Sequence, residues 1–153
     1  MGEPRSARGS AADVDRATIE EFRANGGRVG GPLAGSPLGL VHHVGARSGV
    51  ARVTPLVCSP WGEGRWVVVA SNGGAPAHPG WCHNLRAHPR TWLEVGTGTL
   101  PVLAEEWDDA TREALWPELV ARHPAVGGFQ AGTARRIPVF WLTRLDRSHQ
   151  PRR

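Results

Sequence analysis

The sequence predicts a mainly β domain of the α+β type, a small β-barrel with two or three peripheral helices. Three observations lead there. The chain has 153 residues, the usual size of one domain with one core. Six short apolar runs of strand length are separated by Gly- and Pro-containing turns. Helical periodicity is confined to two or three segments, and no repeat or long linker divides the chain.

The elements follow in order. Residues 1–12 are small and polar, the composition of a disordered leader. From Asp13, a candidate cap, Val14, Ala17, Ile19 and Phe22 supply the apolar face of a short helix. Residues 26–39 hold six Gly and two Pro, which predicts a surface loop. This sets a division into a flexible segment 1–36 with a helix, a barrel domain 37–146 and a basic tail 147–153.

The runs Leu38–Val44 and Val53–Ser59 flank a glycine-bounded turn, Gly45 to Gly49. Arg65–Ala70 is nearly all apolar, as expected of a central strand buried on both faces. Thr91–Val95 and Thr99–Trp107 surround Gly96-Thr97-Gly98, a hairpin signal, and Ile137–Leu142 is a last strand. One short helix is predicted around Trp81–Ala87, stopped by His88-Pro89. Another is predicted from Asp109 to Arg122, with Asp108 as N-cap and Leu115, Leu119 and Val120 facing the core. Pro117 is expected to kink it, and Pro124 to end it.

Composition narrows the function. Charged residues are 21% and hydrophobic ones 40%, the balance of a soluble globular chain. No apolar run approaches the roughly 20 residues that cross a bilayer. The N-terminus has no apolar secretory signal, so a cytoplasmic location is expected, with peripheral contact at the inner membrane face left open. Cys58 and Cys82 make no disulfide framework and read as free thiols.

All 18 basic residues are Arg, and there are seven Trp but no Tyr. The net charge of +4 raises nucleic acid as a partner, but the excess is split between the Gly-rich middle and the C-terminal tail. A nucleic-acid binder instead concentrates its cations on one stripe or helix. A small-molecule partner is the better expectation.

Three stretches could carry chemistry. In Gly45-Ala46-Arg47-Ser48-Gly49-Val50-Ala51-Arg52, glycines let backbone N–H groups turn toward an anion, while Arg47 and Arg52 add forked donors and Ser48 a hydroxyl. An ordinary basic hairpin loop would read the same. In Ala70-Ser71-Asn72-Gly73-Gly74-Ala75-Pro76, a strong strand runs into a glycine turn where backbone approaches a flat ligand closely. No GxGxxG follows, so a dinucleotide fold is disfavoured. His78, Cys82, His83 and His88 cluster in sequence, yet Pro79 interrupts and no second pair completes a metal set, so no metal is expected. Cys82 is a poor nucleophile, because adjacent His83 points away on a helix.

Taken together, these residues resemble one family. Gly45 to Gly49 is followed by Arg52-Val53-Thr54-Pro55-Leu56, then Val68-Val69-Ala70-Ser71-Asn72-Gly73-Gly74-Ala75-Pro76 and His78-Pro79. Trp81, Asn84-Leu85-Arg86-Ala87-His88-Pro89, Leu115-Trp116 and Arg135-Arg136-Ile137-Pro138-Val139 complete the order. Over about residues 37–143 the chain is similar to the deazaflavin-dependent nitroreductases, split β-barrel proteins that use reduced coenzyme F420.

The resemblance implies a flavin-reductase-like split barrel and hydride transfer to a quinone-like or nitroaromatic acceptor. It implies that Arg47, Ser48, Gly49 and Arg52, with Val53, Thr54 and Pro55 alongside, hold the anionic coenzyme tail. Val69, Ala70, Ser71 and Asn72 would meet the ring, with Ser71 and Asn72 in the catalytic role of orienting ring or acceptor. Gly80, Trp81, Cys82, His83 and Asn84 would meet the coenzyme's other side, and Phe129 would cover it. His42, His43 and Val44 stand where the family often carries a threonine run. The cofactor would carry the chemistry, which accounts for a chain without an acid–base pair. Three departures stand out. Ala46 replaces one basic residue of the first loop, Asn72 stands where Lys can occur, and residues 126–132 offer no hydroxyl aromatic. Two alternatives stay open: a carrier of F420 or another small hydrophobic ligand, and an FMN-dependent reductase of the same barrel class.

Overall fold

The computed structural model describes residues 11–146; the expectations for residues 1–10 and for the tail 147–153 lie outside them. Seven antiparallel strands form one curled sheet, a split barrel in the order β2-β1-β5-β6-β7-β4-β3. They are β1 (Leu38–Val44), β2 (Ala51–Val57), β3 (Ser59–Pro60), β4 (Arg65–Val69), β5 (Arg90–Val95), β6 (Gly98–Glu106) and β7 (Val139–Arg144). Four α-helices accompany them: α1 (Ala11–Ala24), α2 (Gly80–Ala87), α3 (Asp109–Arg122) and α4 (Pro124–Ala131).

The two Gly-punctuated hairpins form as predicted. β1 pairs β2 from Leu38↔Val57 to Val44↔Ala51, and β5 pairs β6 around a two-residue Gly96-Thr97 loop. Because side chains alternate along a strand, Leu38 and Leu40 meet Phe22 of α1 while Val41 enters the barrel interior. Phe22 is buried, so α1 is docked on the outer face of the sheet by a core residue of its own. That burial stabilises the contact by roughly 2 kcal/mol. Arg23 adds a forked ion pair to Glu94 of β5 at 3.0 and 2.6 Å.

Several expectations change in detail. The first helix begins at Ala11, so Asp13 lies in its first turn rather than at its cap. The predicted strand Val53–Ser59 is two strands. Cys58, whose N–H donates to Pro37 O, carries the chain from edge strand β2 to edge strand β3 at the opposite side of the sheet. Arg65–Val69 is buried on both faces, yet it lies next to the edge, with β7 along its length and only two residues of β3 beyond. The last strand starts at Val139 because the 132–138 segment is held by side chains instead of a neighbouring strand. Asp108 caps α3 as expected, accepting from the Thr111 N–H at 2.8 Å. Pro117 sits on the exposed side and α3 runs through it to Arg122.

The fourth helix, α4, has no counterpart among the helices expected from sequence. Two interior glycines mask it locally, and packing supplies what propensity lacks. Gln130 accepts from Arg112 of α3 and from the Ile137 N–H, and donates to Arg135 O. Above this, Trp61, Trp107 and Trp141 stack edge to face, while Arg65 and Arg122 lie 3.8 Å over the Trp141 and Trp61 rings. Part of the Arg- and Trp-rich composition is therefore structural.

Candidate functional site

A sheet whose two edges do not meet leaves an opening, and here two cavities that together hold half of the predicted residues border the edge strand β2. Toward its start lies a groove of about 780 Å³ lined by Arg47, Ser48, Arg52, Gly80, His83 and Asn84, with Arg86 beyond. Toward its end lies an apolar cleft of about 300 Å³ between the two sheet edges. Pro55, Leu56, Val57 and Val69 line it, with Ser71, Val126 and Phe129 at one side. Arg52 of the groove and Leu56 of the cleft share one face of β2 with Thr54 between them, so both cavities border the same strand.

The groove is built by a tight turn. The Gly45 N–H donates to Val50 O and the Gly49 N–H to Gly45 O, both at 2.9 Å, while the Val50 N–H donates to Ser48 Oγ. A Cβ on Gly45 would run into Ser48 Oγ, so a larger residue there pushes that hydroxyl off its bond to the Val50 N–H. The Ala46 N–H donates to Asn84 Oδ1 at 2.8 Å, which ties the turn to α2. Arg47 and Arg52 are exposed and join none of the ion pairs among the described residues. Arg86, by contrast, is committed to Glu106 by a forked pair at 2.8 and 2.9 Å. Two unpaired guanidiniums in one groove favour a multiply charged anion.

The loop after β4 has unusual backbone. Asn72, Gly73 and Gly74 all have positive φ, at 48°, 64° and 82°. Asn is among the few non-glycine residues that accept this region. Asn72 Nδ2 donates to Ala77 O at 3.0 Å, and Gly74 lets Phe129 approach the loop closely. The Ser71 hydroxyl has no protein partner among the described residues and points toward the cleft that it lines.

Arg135 holds this loop from behind, a role the sequence did not disclose. Its guanidinium donates to Ser71 O and Ala75 O at 2.7 Å, to Ala70 O at 3.2 Å, and to His78 Nδ1 at 2.7 Å. Burial, together with Arg135, holds the His78 pKa below its usual range. No local signal marks such a clamp, because its acceptors, three backbone oxygens and His78 Nδ1, lie some 60 residues away.

Other predicted residues lie elsewhere. Trp81 and Cys82 are buried in the barrel interior, so α2 offers the groove Gly80, His83 and Asn84 instead. Ala70 is also fully buried. His42, Val44 and Val53, with His43 and Arg52, line a third cavity of about 670 Å³ at the other end of β1. There His42 Nε2 meets Glu94 at 2.7 Å. Gly49, Thr54 and Asn72 line none of these cavities with their own atoms. Burial pushes the Cys58 and Cys82 thiols up to about 12 and about 11, so neither supplies a thiolate near neutral pH.

A groove with two exposed guanidiniums and an apolar slot on the same strand could hold a ligand with a flat ring and an anionic tail. The family model described as F420H(2)-dependent quinone reductase matches residues 14–144. An F420H(2)-dependent quinone reductase of Mycobacterium tuberculosis is 36% identical over 128 residues, covering 80% of this chain and 85% of that protein. Among solved structures, an F420-H2 dependent reductase, FDR-A, is 36% identical with a TM-score of 0.61, covering 69% of this chain and 93% of that one. A second, described as a domain-swapped dimer, is 34% identical with a TM-score of 0.64, covering 87% and 99%.

Proposed function

This chain belongs to the F420H(2)-dependent quinone reductase family, and on that premise we propose how its two cavities beside β2 divide the work. The groove at Arg47 and Arg52 takes the phosphate and glutamate tail of the coenzyme. The apolar cleft takes the deazaflavin ring and, against it, a quinone-like or nitroaromatic acceptor. The observation that carries this reading is the pairing of two uncommitted guanidiniums with an apolar slot along one face of β2.

The bound reduced coenzyme supplies a hydride, a two-electron transfer, so the protein's task is to position and enclose. Arg47 and Arg52 anchor the tail through charge-assisted hydrogen bonds. Leu56, Val69 and Phe129 exclude water from the ring end. Ser71 offers a hydroxyl to an acceptor oxygen, and Asn72 keeps a carbonyl oxygen free because only its Nδ2 is committed. The Arg135 clamp fixes both residues before ligand arrives, which lowers the entropy cost of binding. The chain has no tyrosine, so no phenol contacts the acceptor and specificity rests on shape. The reading places the reaction in the cytoplasm; no described helix is long and apolar enough to cross a membrane.

One titration tests it. The purified chain is mixed separately with F420 and FMN while fluorescence quenching is followed, and menadione is then added anaerobically to the reduced-coenzyme sample. Submicromolar F420 binding with coenzyme oxidation is expected. Binding without turnover across a panel of acceptors would make the chain a carrier, and tighter binding of FMN would overturn the reading.

A further inference from the structure

The buried His43 is used by nothing in the mechanism above, yet its hydrogen bonds leave it no freedom. It is 4% exposed, and its two ring nitrogens meet Asn84 Nδ2 at 2.9 Å and Thr54 Oγ1 at 2.8 Å. The direction of every bond in this chain of groups follows from one backbone atom. The Ala46 N–H can only donate, so the amide oxygen of Asn84 must face it. Asn84 Nδ2 then faces His43 and must donate to Nδ1. A His43 that accepts at Nδ1 is neutral and carries its hydrogen on Nε2, which donates to Thr54 Oγ1. The Thr54 hydroxyl then accepts from His43 with one lone pair, and its own hydrogen has to point away from His43.

No protein acceptor takes that hydrogen among the described residues. Thr54 lies on β2 between Arg52 at the groove and Leu56 at the cleft. Its donor therefore lies on the stretch of β2 between groove and cleft, although Thr54 lines neither with its own atoms. Resting on the functional reading above, we propose that His43 is a positioning residue: through the Asn84–His43–Thr54 relay it turns the Thr54 hydroxyl hydrogen away from itself and leaves it to donate to an oxygen of the bound coenzyme, where tail meets ring. The surroundings favour the neutral ring that the relay needs, since burial and the nearby charges of Arg52 and His42 push its pKa down to about 4.

Two measurements test this. Long-range nitrogen–proton NMR of the free protein at pH 7 reads the His43 tautomer without any ligand. The Nε2–H form is expected, and the Nδ1–H form would overturn the relay whether or not the coenzyme binds. F420 binding by fluorescence quenching then reads the donor. Thr54→Val, which keeps the side chain's shape, is expected to raise Kd about ten-fold, and Thr54→Ser to stay within about three-fold of the parent. His43→Gln restores one acceptor and one donor and should retain most of the affinity. Combining Thr54→Val with His43→Leu should weaken binding no further than Thr54→Val alone. An unchanged Kd in Thr54→Val, or additive losses in the double variant, would refute the proposal. A parent protein that binds no F420 while showing the Nε2–H tautomer would sink the functional reading and, with it, the coenzyme as recipient, leaving the relay itself standing.

Discussion

Replacing Arg135 by Met removes the clamp behind the 70–78 loop while keeping a long apolar stem. Four hydrogen bonds disappear, three to backbone oxygens and one to His78 Nδ1. Charge-assisted bonds are worth roughly 1.5–3 kcal/mol each when buried. Arg135 is only half-buried, and water can reach part of the freed set, so a total near 3 kcal/mol is the reasonable expectation. In a domain of about 150 residues, that lowers Tm by roughly 6–12 °C. Thermal unfolding followed by Trp fluorescence measures the shift, since seven Trp report on the core. Arg135→Lys should recover less than half of the loss, because an ammonium cannot span the fork. The His78 pKa, read by NMR titration, should rise toward its ordinary value once the neighbouring cation is gone. A Tm within about 2 °C of the parent would show that these hydrogen bonds are replaced by solvent without cost, and the preorganisation argued for Ser71 and Asn72 would fall with it.

Three further outcomes are expected. Arg47→Ala combined with Arg52→Ala should weaken F420 binding by about 2 kcal/mol or more, roughly thirty-fold, with Tm unchanged because both side chains are exposed and unpaired; an unchanged Kd would place the tail elsewhere. Gly45→Ala should destabilise by about 1 kcal/mol, by pushing Ser48 Oγ off the Val50 N–H, and loosen the groove, as read by denaturant unfolding alongside F420 titration. For pH dependence, the folded-state pKa of His43 lies below its unfolded value, so its contribution is complete above about 6.5 and is lost as pH falls toward about 4. That amounts to about 3 kcal/mol, and a His43→Gln variant should lack this part of the acid sensitivity; identical acid profiles for the two proteins would contradict it.

The legible parts of the sequence were those whose cause is local. Both hairpins announce themselves by glycines at turns that need them, and Asp108 marks the start of α3 through a bond to the residue three positions on. The Gly45–Arg52 and Ala70–Pro76 stretches were recognisable for the same reason, since turn, donor and spacing all lie within ten residues. What escaped was long-range. Helix α4 carries two glycines, and Gln130, whose packing secures it, bonds to α3 and to the segment before β7. β3 is two residues long and is defined only by its pairing with β4. The family resemblance supplied Trp81 and Cys82 as ligand contacts, yet the amphipathic spacing of α2 sends both into the barrel.

By itself the sequence determined a β-rich domain with an arginine-bearing anion loop and a glycine-strained loop after a buried strand. Those follow from turn chemistry, alternation and charge, which act between near neighbours. Only the tertiary structure decided that the sheet stays open between β2 and β3, so that groove and cleft both border β2. It also decided that Arg135 reaches back 64 residues to Ser71, and that Asn84 reaches 41 residues to set the tautomer of His43. Hydrogen-bond direction is enforced by whichever partner can only donate, and that partner is chosen by the fold.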